Sequence, residues 1–208
     1  MQTIKMKVTG VGSILMHNPV SMRGGGDTGV PQRGGKKIPT PYEEAKAGLY
    51  VLPNDQLYIK SDAFREAAII ASSDIRDPSR KGRTTMTRRF AASVFLSTEH
   101  CPLHRPDGKP VTGADDDWEI DTRRAVVQRN GILRSRPKIS DWACMVEFEY
   151  DEETMTPELI VAIMQQAGKF PGVLDYRVGK KGPFGRFKAE LANGSDFQVQ
   201  PTRKGRKS

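Results

Sequence analysis

Residues 156–191 read TPELIVAIMQQAGKFPGVLDYRVGKKGPFGRFKAEL, and this stretch decides the fold. It predicts a helix, a glycine-rich cationic turn and a closing strand. Thr156 is a good N-cap, Pro157 suits the first helical position, and Glu158 sits where the helix dipole favours an anion. Leu159, Ile160, Ile163, Met164 and Ala167 recur at helical spacing on one face. Gly168 is placed to end the helix in a left-handed conformation. Gly172, Gly179, Gly182 and Gly185 then let the backbone bend, and Lys169, Arg177, Lys180, Lys181, Arg186 and Lys188 surround the bends with positive charge. Backbone amides in such turns form anion-binding concavities, which the cations reinforce. An extended anionic partner, most simply a nucleic-acid backbone, fits this pattern better than a small neutral substrate. The bland alternative is a solvated hairpin. The spacing is that of neither a nucleotide-triphosphate loop nor a dinucleotide fingerprint.

The whole chain has the same bias. In 208 residues, 33 Lys and Arg stand against 25 Asp and Glu, a formal charge of +8 that argues for anionic partners. Cys101 and Cys144 form no CxxC pattern, so a reduced, cytosolic compartment is expected. No apolar run approaches the roughly 20 residues of a spanning helix, and no membrane partner is expected.

Working outward, residues 4–15 alternate as a strand, with Ile4, Met6 and Val8 on one face and Gly10 and Gly12 suggesting a bulge or a close backbone approach. His17 follows, a hydrogen-bonded turn residue or nucleic-acid contact before it is a catalyst. Residues 22–37 hold six glycines and the cations Arg23, Arg33, Lys36 and Lys37, and are expected to be mobile without a ligand. Thr40 and Pro41 open a short helix. Residues 49–59 read as a hairpin about Pro53, Asn54 and Asp55. Ser61 or Asp62 caps a helix that buries Phe64, Ala67, Ala68 and Ala71.

A second basic segment, 76–89, carries Arg80, Lys81, Arg83, Arg88 and Arg89 among serines and threonines, the groups phosphate contacts use. Residues 90–96 then read as a strand. His100, Cys101 and His104 lack the second ligand pair of a structural zinc site and read as a loop. The run Asp115, Asp116 and Asp117 is an exposed acidic turn before it is a magnesium site. No metal or cofactor is implied. Asn130-Gly131 predicts a hairpin turn between strands loaded with Arg123, Arg124, Arg134, Arg136 and Lys138. Residues 142–150 are the clearest strand. After a short hairpin about Asn193-Gly194, the chain ends in a basic tail.

The order of these parts resembles the RAMP superfamily, the RNA-binding proteins that form backbone subunits of CRISPR effector complexes. The superfamily's glycine-rich loop after the second helix is matched by residues 179–187. Its helix entry looks like residues 58–65, with Lys60 and Asp62 as departures. His17-Asn18-Pro19 and Arg134-Ser135-Arg136-Pro137 look like an uncharacterised phage-encoded branch. The resemblance implies an α+β chain on a ferredoxin-like, RRM-like βαββαβ core with an antiparallel sheet. It implies one domain over 1–192, with a mobile insertion at 22–40 and a basic, loop-rich insertion at 74–118, then a hairpin and tail at 193–208. It also adds Lys60 and Arg65 to the candidate contacts.

The expected function is non-catalytic binding of single-stranded nucleic acid, RNA favoured, with copies of the chain or other subunits assembling along the strand. The alternatives are a RAMP-type RNA-cleaving endonuclease, with His17 or an acidic residue from Asp115 to Asp117 as candidate, a phage single-stranded DNA-binding protein, and an assembly protein whose charge serves solubility.

Overall fold

The computed structural model describes residues 1–19, 39–80, 82–127 and 130–193. The expected insertion with Arg23, Arg33, Lys36 and Lys37, together with Lys81 and the basic tail, lies outside them. The described chain is a mixed α+β structure with antiparallel sheets and four α-helices.

In chain order the strands are β1 (Gln2–Gly10), β2 (Ile14–Leu15), β3 (Tyr58–Lys60), β4 (Val94–Leu96), β5 (His100–Pro102), β6 (Glu119–Val127), β7 (Asn130–Ile139), β8 (Ala143–Tyr150) and β9 (Phe187–Leu191). The helices are α1 (Pro41–Ala47), α2 (Ser61–Ala71), α3 (Thr87–Ser93) and α4 (Pro157–Lys169). Among the described residues no helix is long and apolar enough to cross a membrane.

The main sheet has the order β4-β8-β1-β9. All its neighbours are antiparallel, so β1 and β4 run the same way on either side of β8. By the same logic β8 and β9 run the same way on either side of β1. Helix α2 lies on the connection from β1 to β4, and α4 on the connection from β8 to β9. Period-two alternation puts Ile4, Met6 and Val8 opposite Phe148, Val146 and Cys144 on one buried face. Against that face α2 buries Phe64, Ala67, Ala68 and Ala71, and α4 buries Ile160, Ile163, Met164 and Ala167. The small residues of α2 let the two helices approach, and Phe64 meets Phe187 edge-on at 5.5 Å. Burying each large apolar side chain here is worth about 1.5–3 kcal/mol.

The opposite face of the sheet is charged. Lys5, Lys7 and Lys188 alternate with Glu147, Glu149 and Glu190, and Lys5 pairs with Glu147 directly across the strands at 3.1 Å. Phe95 sits on the edge strand of this face and is exposed.

The second sheet, β2-β7-β6, is built on the cationic hairpin. The chain changes sheets between β1 and β2, where Gly10 admits the Trp142 indole, which donates from Nε1 to the Gly12 carbonyl at 2.9 Å. A Cβ at Gly10 would occupy the space of that ring. Helix α1 starts with a full capping box between Thr40 and Glu43 and packs on the hairpin. Strands β3 and β5 form a separate pair.

Several local expectations move. Residues 87–93 are helix, and strand character starts only at Val94. Residues 100–102, read as a loop, pair with β3. The residue before α2 is Lys60 with no side-chain cap, and Ser61 is buried within 3.2 Å of the Cys101 sulfur instead. Asn130 and Gly131 belong to β7, because the pairing runs through Val127 and Asn130. Helix α4 continues past Gly168, and the first left-handed residue is Gly172, whose amide donates to the Ala167 carbonyl at 2.9 Å. Gly168 instead lets the Phe187 backbone lie against the helix. Residues 74–118 hold α3, β4 and β5, and β4 joins the main sheet.

Candidate nucleic-acid interface

The loop between α4 and β9 is tied to its surroundings at many points. The Val173 amide donates to Gly185 at 2.9 Å, Gly179 to Pro171 at 2.9 Å and Gly182 to Arg177 at 3.0 Å. Asp175 donates to Leu15 at 3.2 Å, Gly185 to Ser13 at 3.1 Å, and Val11 to Arg186 at 2.9 Å. The loop therefore joins the main sheet to the hairpin sheet. These amides are spent within the protein, which corrects the expectation that they line an open anion cradle. The glycines have internal reasons too. A Cβ at Gly185, where φ is 77°, would run into the Val173 carbonyl, and one at Gly182 into the Tyr176 carbonyl.

Leu174 and Tyr176 also adopt left-handed backbone, with φ of 66° and 45°, and Lys181 has 61°. Such conformations cost about 1–3 kcal/mol each for residues with side chains, and persist only where the surroundings enforce them. Here the hydrogen bonds above do so.

The cations fall into two groups. Lys180, Lys181 and Arg186 are exposed and have no acidic partner among the described residues. Lys169, Arg186 and Lys188 rim a cleft of about 280 Å³ between α4 and β9. Arg83 and Arg88 are likewise exposed without an acidic partner among the described residues. The other group is held internally. Arg134 lies 3.5 Å from Glu44, which also accepts the Ser135 amide. Arg177 lies 3.3 Å from Glu66. Arg65 donates to the Val94 and Ala91 carbonyls, fixing α2 to the start of β4. Arg89 at 3.1 Å and Arg80 at 4.0 Å flank the buried Asp77. Hydrogen bonds from Ser79 and then Arg89 hold that carboxyl below its usual range.

Three segments distant in sequence meet at Asp175. His17 Nδ1 lies 3.3 Å from Asp175 Oδ2, and Arg136 Nε lies 2.7 Å from the same oxygen. The other oxygen accepts the Tyr176 amide at 2.9 Å. The His17 ring, and after it Arg136, hold this carboxyl down to about 2 against the opposing effect of burial. On the hairpin side the Arg123 guanidinium lies 4.9 Å from the Phe184 ring and 5.7 Å from the exposed Tyr176 ring. Asp121 fixes it from behind at 2.7 Å. Tyr50 donates to the His17 carbonyl at 3.1 Å, and the Lys60 ammonium lies 5.9 Å from the Tyr50 ring.

His17, Lys60, Arg136 and Arg177 are thus brought to one region, with Asp175, Tyr50 and Glu66 as members that sequence reading missed. One signal was available for Asp175, which is the only carboxylate between Lys169 and Lys188. A lone acid in a cationic run marks an internal ion pair. The chain matches no protein-family model and no curated protein.

Proposed function

We propose that the chain binds single-stranded nucleic acid, RNA favoured, without cleaving it, as a backbone-type subunit that assembles along a strand in a CRISPR-like or phage ribonucleoprotein. The observation that carries the reading is the contrast between the two groups of cations. Arg134, Arg136 and Arg177 are neutralised inside the molecule, whereas Lys180, Lys181 and Arg186 project from a braced loop without acidic partners among the described residues. Charges fixed on a rigid element meet a phosphate backbone with little ordering cost. The preference for RNA rests on the RAMP resemblance. A ferredoxin-like βαββαβ core is supported by the strand order β4-β8-β1-β9 and by the two helical crossovers between strands that run the same way.

The contact of His17 with Asp175 favours cleavage as the second reading, because a carboxylate orients an imidazole for proton transfer. Turnover of RNA lost in His17→Ala would establish it.

The test is fluorescence anisotropy with labelled single-stranded RNA and DNA from about 50 to about 200 mM salt. The log of the association constant falls with log salt by about 0.7 for each phosphate neutralised. Changing Lys180, Lys181 and Arg186 together to alanine is expected to make that slope shallower by about 2. A salt-independent signal, or a folded triple variant with the parent's slope, refutes the reading.

A further inference from the structure

A cleft of about 300 Å³ opens beside the loop, walled by His17, Tyr50, Glu66, Leu174, Asp175 and Arg177. Its volume is at the small end of ligand sites, enough for one heteroaromatic ring system. Its charges balance, since Asp175 faces Arg136 and Glu66 faces Arg177. A phosphate gains nothing from such a balance, whereas a neutral polar ring does. Both Asp175 oxygens are already engaged, one on His17 and Arg136 and the other on the Tyr176 amide. Glu66 differs. Its side chain is 65% exposed, and only Oε1 contacts Arg177.

We infer that this cleft takes one splayed-out nucleobase of the bound strand, and that guanine is the base it prefers. The inference rests on the proposed binding of single strands. Unpaired bases are read by stacking on aromatic rings and by hydrogen bonds to their Watson–Crick edges. Guanine alone presents two adjacent N–H donors on that edge, at N1 and N2, beside the O6 acceptor. The Glu66 carboxylate accepts the pair, and the Arg177 guanidinium, fixed by its bond to the Leu174 carbonyl, donates to O6. Adenine and cytosine set a ring-nitrogen acceptor against the carboxylate, and uracil offers one N–H. The Tyr50 ring supplies a stacking wall. The exposed Lys60 ammonium over that ring meets the adjoining phosphate.

The experiment compares uridine-rich RNA strands that carry a single central guanosine or a single central adenosine. The parent protein is expected to bind the guanosine strand at least about fivefold more tightly, the discrimination of one bidentate contact. In Glu66→Gln the amide nitrogen opposes one of the guanine donors, and the ratio is expected to fall below about twofold. A melting curve checks that the variant is folded. Equal affinity of the parent for the two strands, or a ratio that survives in folded Glu66→Gln, overturns the guanine site and leaves strand binding standing. Absence of salt-dependent binding to either strand overturns both.

Discussion

Asp175→Asn keeps the shape of the side chain and removes the charge shared by His17 and Arg136. The carboxyl lies at about 2 in the folded protein against an ordinary 3.8. That difference corresponds to at most about 2.4 kcal/mol of linked stability. The side chain is 33% exposed, and solvent screening brings the figure to about 1–2 kcal/mol. Because the folded value is the lower one, the contribution is fully present above the unfolded carboxyl's titration. It is lost as pH falls from about 4 to about 2. Urea unfolding at pH 7 is expected to show the variant less stable by about 1–2 kcal/mol, a midpoint lower by about 0.5–1 M. Measured at successively lower pH, the gap should narrow below about pH 4, as the parent's own carboxyl is protonated and comes to resemble the amide. A gap of the same size at pH 3 and pH 7 would refute the ionic account and leave only packing. No gap at pH 7 would mean that desolvation cancels the attraction of His17 and Arg136.

Gly185→Ala combines a left-handed φ of 77° with a clash against the Val173 carbonyl. It is expected to cost about 1–3 kcal/mol, or about 2–12 °C in Tm, whereas Gly12→Ala, which meets open space, should change stability by less than about 0.5 kcal/mol. Phe95→Ala on the charged face of the main sheet is expected to leave single-strand affinity within about twofold of the parent in the anisotropy assay. A loss of tenfold or more would move the proposed interface onto that face.

The elements that were legible in sequence are those in which local chemistry and tertiary packing agree. Thr156 and Pro157 start α4 as expected, and the buried face of α2 is the one its spacing predicts. The reading of 90–96 as a strand fails before Val94, because a short apolar run does not separate helix from strand. The structure resolves the choice by burying Met86 and Phe90, four residues apart, on one side of a helical turn. Of the two glycines read as a bulge or close backbone approach, Gly10 is closely approached, by the Trp142 indole, and Gly12 is not, whereas Gly168 was read as a helix terminator and the group approaching it is the Phe187 backbone. The two cases look alike in sequence because the partner lies in another segment. The Asp175 cluster was illegible for the same reason. His17, Arg136 and Asp175 share no motif, and they meet only because Asp175 pairs with Leu15 beside β7.

The charge pattern of the main sheet decides where a strand can run in the proposed complex. Sheet-face recognition of RNA stacks two or three bases on aromatic rings carried by central strands. Among the described residues the open face here has one exposed aromatic residue, Phe95, on an edge strand. Two of its lysines stand opposite glutamates, Lys5 across from Glu147 and Lys7 across from Glu190, while Lys188 lies across from Thr9. Such a surface neither stacks bases nor attracts phosphates, because opposite charges at strand spacing cancel within a Debye length of about 8–10 Å. The loop end differs on both counts. It exposes cations without acidic partners among the described residues, and it presents Tyr176 beside Arg123, an aromatic and a guanidinium that both stack on bases. The left-handed backbone at Leu174 and Tyr176 has a role in this arrangement, since it turns consecutive residues in different directions. Leu174 faces the cleft and the core, while the Tyr176 ring goes to Arg123 on the hairpin. In the proposed complex the strand therefore crosses the junction of the two sheets, with its phosphates on the loop cations and its bases toward the Tyr50 and Tyr176 rings.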